Sequence, residues 1–125
     1  MTVNQTFRGR VDILTLGTFL IEKFVGLTDP GNTIPLIDYT VSLGEKLVAL
    51  QITASCRLES KIIIKVNDVV IGTGRTGPGE LNYKYMFEPF MELLENDNIT
   101  IECLASAWRP QTDIEAFLQA RLITL

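Results

Sequence analysis

Between Gln51 and Glu59 apolar and polar residues alternate without a break. Ile52, Ala54, Cys56 and Leu58 fall on one side, and Gln51, Thr53, Ser55, Arg57 and Glu59 on the other. A period of two marks a half-buried strand, and it extends back through Val48 and Leu50. The same pattern places Ile62, Ile64 and Val66 inward, with Lys61 and Lys65 outward. Asn67–Asp68 then separates this run from Val69–Val70–Ile71. Both turn residues tolerate positive φ, so the segment reads as a two-residue hairpin. Leu81, Tyr83, Tyr85 and Phe87 alternate against Asn82 and Lys84. Ile99, Ile101, Cys103 and Ala105 do so after the turn-forming Glu95–Asn96–Asp97–Asn98.

Two segments have competing patterns. Glu88–Leu94, with Pro89 at the first position, reads as a short turn of helix. In Thr112–Leu125, Ile114, Ala116, Leu118, Ala120 and Leu122 alternate as a strand. Ile114, Phe117, Leu118, Arg121, Leu122 and Leu125 fit a helical stripe equally well, behind a Thr112–Glu115 capping box. A strand is expected, because it completes the sheets that every earlier segment implies.

The first third of the chain differs. Val11–Leu16 and Phe19–Phe24 are short strand candidates among Gly9, Gly17, Gly26, Pro30, Gly31 and Pro35. Residues 1–10 have too little apolar density to form a core. The organisation expected is an extended N-terminal arm with short strands over 1–35 and a β-sandwich over 36–125. About eight short strands without crossover helices favour an all-β, antiparallel two-sheet, jelly-roll-like fold.

At 125 residues and 46% hydrophobic content, one domain can bury a core without staples. The net charge is −4, and the only tight basic pair is Arg8 with Arg10. Nucleic-acid binding needs a basic face that displaces counterions, so it is not expected. Apolar runs are too short for a membrane helix. Arg8, Arg10, Asp12 and Gly17 interrupt any export-signal core. Cys56 and Cys103 sit within alternating runs and read as buried, reduced side chains, with a disulfide left open.

Histidine is absent, which excludes Ser-His-Asp and Cys-His catalysis within the chain. Glu88, Glu92, Glu95 and Asp97 cluster in sequence but match no calcium loop and read as a solvated turn. No catalytic residue, metal site or cofactor is expected. Gly72–Gly77 spells G-x-G-x-x-G, but Pro78–Gly79–Glu80 and a strand follow where a phosphate cradle needs a helix. The motif reads as a flexible loop between strands. Trp108–Arg109–Pro110 falls just after a strand, and Trp and Arg favour interface hot spots. A Trp capping the core accounts for the residue equally well.

The run Lys61–Thr76, then Tyr85–Phe90, Leu94–Glu102 and a closing Gln119–Ile123 resembles small jelly-roll accessory proteins of tailed-phage virions, the capsid cement or decoration proteins. The resemblance covers residues 45–125. It implies a virion structural protein on the capsid surface, assembled in the host cytoplasm. The partners implied are the major capsid protein and further copies of the chain, as a homotrimer, with no small-molecule substrate. In such an arm, Val3, Phe7, Val11 and Ile13 would be apolar anchors, with Arg8 and Arg10 beside them. Arg75, Trp108 and Arg109 would be the contact candidates on the domain. The alternative is a jelly-roll recognition module of a tail or baseplate, or a carbohydrate-binding module, centred on Trp108, Arg109 and Arg75.

Overall fold

The computed structural model describes residues 17–125. These form eight strands: β1 (Thr18–Leu27), β2 (Thr33–Thr40), β3 (Glu45–Cys56), β4 (Ser60–Val66), β5 (Val69–Thr76), β6 (Asn82–Leu93), β7 (Asn98–Ala105) and β8 (Asp113–Thr124). One antiparallel sheet has the order β1-β8-β3-β6, the other β2-β7-β4-β5. Eight strands wound in this order make a jelly roll. Alternation puts one face of each sheet inward. Leu47, Ile52, Ile114 and Leu118 of the first sheet meet Ile62, Ile64, Ile99 and Ile101 of the second, all fully buried. Burying each such side chain contributes roughly 1.5–3 kcal/mol.

The Asn67–Asp68 turn forms as expected, with φ of 50° and 66° and Val66 facing Val69. Thr112–Leu125 contains the strand β8 and no helix. Its alternating set Ile114, Ala116, Leu118 and Ala120 is buried, because β8 lies between β1 and β3 with one face on the core.

Three expectations change. The sandwich begins before residue 36: β1 pairs along its whole length with β8, and β2 starts at Thr33. Leu20 and Phe24 pack against the core, which supplies what the local sequence lacks. Residues 1–16 of the expected arm lie outside the described residues.

The helical turn at Glu88–Leu94 does not form. β6 continues through it with an irregularity, Ala49 facing Met91 and Gln51 facing Met86. Pro89 is accommodated because β6 is an edge strand interrupted by a bulge, where a ladder N–H is not needed.

Val48 and Leu50 do not share a side with Ile52. Leu50 is an extra residue on β3, since Ala49 faces Ala120 and Gln51 faces Gln119. The bulge reverses the alternation. Leu47 and Ala49 point to the core, while Val48 and Leu50 pack with Phe90 and Ile123 in a separate small cluster.

Candidate functional site

Gly72 and Gly74 lie within β5 rather than in a loop. A Cβ on Gly74 would sit 2.0 Å from the Tyr83 ring, and one on Gly72 would sit 2.6 Å from Tyr85. The two glycines are seats for aromatic rings from the facing sheet. Tyr85 meets Phe87 edge-on at 5.1 Å, and its hydroxyl donates to Ile71 O at 3.5 Å. The glycine motif is thus packing chemistry. Only Gly77 and Gly79 fall in the connection to β6, where Gly77 bridges Glu80.

Two surfaces carry exposed groups that the fold itself does not need. The first is the outer face of β1. Phe19, Ile21, Val25 and Leu27 are each about half exposed, while Leu20 and Phe24 pack inward. Among the described residues β1 has a strand on one side only, β8, so its other backbone edge is unpaired. Lys23 interrupts the apolar row but leans over Phe117, and Arg121 lies over Phe19. Sequence reading missed this row. Its signal is Phe19–Leu20–Ile21 followed by Phe24–Val25, apolar on both parities where a one-sided strand would alternate.

The second surface is the end of the sandwich where the β1–β2, β3–β4, β5–β6 and β7–β8 connections gather. Arg75 Nη1 contacts Glu59 Oε2 at 3.2 Å, and Ser106 Oγ donates to Glu59 Oε1 at 3.5 Å. Arg109 stacks on Trp108, its guanidinium carbon 4.5 Å from the ring centroid. Trp108 is 74% exposed and does not cap the core. Arg109 Nε is shielded from solvent and has no hydrogen-bond partner. Arg75 and Arg109 line one depression of about 400 Å³ with Glu59 and Glu80. A second, of about 360 Å³, adjoins it and shares Glu59 and Arg75. The fold therefore brings Arg75 of β5 and Trp108 and Arg109 of the β7–β8 connection to one end. Val3, Phe7, Arg8, Arg10, Val11 and Ile13 lie outside the described residues.

At the opposite end Asp97 and Glu92 have structural partners. Asp97 accepts hydrogen bonds from Leu94 N at 2.8 Å and Asn67 Nδ2 at 3.0 Å, which hold its carboxyl below the usual range. Asn67 Oδ1 accepts from Asn98 N at 2.8 Å, tying the β4–β5 turn to the β6–β7 turn. Glu92 pairs with Lys46 at 3.2 Å. Among the described residues no three acidic or cysteine side chains converge as a metal site would need.

The cysteines are free and buried. Burial, reinforced by nearby Cys56 and opposed by a Ser60 hydrogen bond, pushes the Cys103 thiol up to about 11. It is therefore no thiolate nucleophile at neutral pH.

No protein-family model, curated protein or solved structure matches the chain.

Proposed function

We propose that the protein is a virion structural protein of the capsid-cement class, held on a shell of major capsid subunits through the outer face of β1. The observation that carries the reading is the row Phe19, Ile21, Val25 and Leu27 beside a backbone edge unpaired among the described residues. Four half-exposed large side chains, two on either side of Lys23, present on the order of 300 Å² of apolar surface, the size of the largest patch on an ordinary monomer, which is often functional. An unpaired edge adds a ladder of donors and acceptors for a partner strand. The jelly-roll order and the resemblance of residues 45–125 to cement proteins support the same class. The work is done by contact and not by catalysis. Assembly as a homotrimer multiplies weak contacts on a symmetric shell.

The test is co-sedimentation of the purified protein with undecorated shells of the phage that encodes it. Wild-type protein saturates the shells. The double variant Ile21→Asp, Val25→Asp keeps its fold, because both side chains are exposed, and binds at least about a hundredfold more weakly. Unbound wild-type protein, or a double variant that binds as well as wild type, overturns the proposal.

A further inference from the structure

We infer that the Trp108 end of the sandwich is a binding site for an uncharged oligosaccharide, separate from the β1 face. The composition of the site selects the ligand. Lys61, Arg75 and Arg109 line the two adjoining depressions with Glu59 and Glu80, so charges nearly cancel. A near-neutral set of strong donors and acceptors matches hydroxyl groups, each of which donates and accepts. It does not match a polyanion, which would need an excess of cations. Nor does it match a drug-like apolar ligand, which needs an enclosed apolar cavity.

Three further observations agree. The Arg75–Glu59 pair is exposed, with Arg75 at 70%, so its atoms can be shared with a ligand at small cost. The two depressions share Glu59 and Arg75 in their linings, so they lie side by side at that pair. Trp108 stands beside it with most of its indole in water. Indole offers a flat apolar face to the C–H side of a sugar ring, and Arg109 stacked at 4.5 Å holds that plane in place.

Trp108 is the only tryptophan, so intrinsic fluorescence reports on this site alone. The experiment screens the full chain against neutral gluco-, galacto-, manno- and N-acetylglucosamine oligosaccharides, with uronate oligosaccharides and unstructured peptides as comparison arms. Hits are titrated by Trp emission and by calorimetry. The expected result is saturable binding of at least one neutral oligosaccharide, tighter for longer chains. Calorimetric affinity falls at least about tenfold in Trp108→Ala and in Arg75→Ala. Both substitutions are at exposed side chains, and unchanged thermal unfolding verifies the fold. The Ile21→Asp, Val25→Asp variant binds sugar normally and Trp108→Ala attaches to shells normally, so this proposal and the capsid reading fail independently. Preference for uronates or peptides, absence of any neutral ligand, or binding indifferent to Trp108→Ala overturns the inference.

Discussion

Lys23 and Phe117 face each other across the β1–β8 ladder, and the Lys23 ammonium sits 5.5 Å from the Phe117 ring centroid. Four residue pairs along the ladder the arrangement repeats with the roles exchanged, Arg121 of β8 over Phe19 of β1 at 5.7 Å. The two cations flanking the row, Lys23 of β1 and Arg121 of β8, thus lie over aromatic rings, and the apolar row stays exposed. At exposed sites such a contact contributes about 0.5–1 kcal/mol. A double-mutant cycle on Lys23→Ala and Phe117→Ala is expected to give a coupling energy in that range by urea unfolding. A coupling indistinguishable from zero would show that the approach has no energetic weight.

Gly74 has no room for a side chain because the Tyr83 ring covers it. Gly74→Ala is expected to destabilise by about 1–3 kcal/mol through overpacking. At Gly79 a Cβ meets nothing within 4 Å, so Gly79→Ala should stay within about 0.5 kcal/mol of wild type. Equal losses at both positions would contradict the ring-seat role.

Acid should weaken the turn cluster around Asp97. Its carboxyl lies below the ordinary 3.8, chiefly through the Leu94 N–H and then Asn67. A depressed native value means stability that is full above the unfolded pKa and is lost as pH falls through the folded one. The melting temperature of wild type should drop more steeply below about pH 4 than that of Asp97→Asn, which cannot titrate. Parallel acid profiles would show that Asp97 is not linked to folding.

The thiols should be inert while the protein is folded. Cys56 and Cys103 are both buried, and the Cys103 value near 11 leaves almost no thiolate at neutral pH. A thiol reagent should label neither in native buffer and both in denaturant. Rapid native labelling would imply that the sandwich opens at Cys56 or Cys103.

The β strands were legible where one face meets the core and the other meets water. The runs from Gln51, Lys61 and Ile99 alternate cleanly for that reason. Thr112–Leu125 was ambiguous because Phe117 and Leu125, exposed or half-exposed in the fold, complete a helical stripe by coincidence of spacing. Glu88–Leu94 misled because a bulge on an edge strand admits the same Pro that opens a helix. β1 was undervalued since its apolar residues fall on both faces, and only the second sheet reveals which of them are internal. At the loop end Trp108 and Arg109 stood out by type, yet their proximity to Arg75 and Glu59 depends on winding order, which no local pattern encodes.

The extra residue at Leu50 has a consequence for how this chain can vary. It divides β3 into two halves that are out of phase, so even-numbered positions belong to the core after it and odd-numbered positions before it. Removing that residue would leave Ala49 and Gln51 adjacent, as their partners Ala120 and Gln119 already are on β8. Regular alternation would then run through all of β3, with Leu47, Ala49, Ile52 and Ala54 still inward and only the Leu50 contact of the outer cluster lost. The bulge is therefore a place where β3 can lose a residue without a change of register. A deletion within either flank keeps the register only if the bulge closes and the residues between it and the deletion exchange faces.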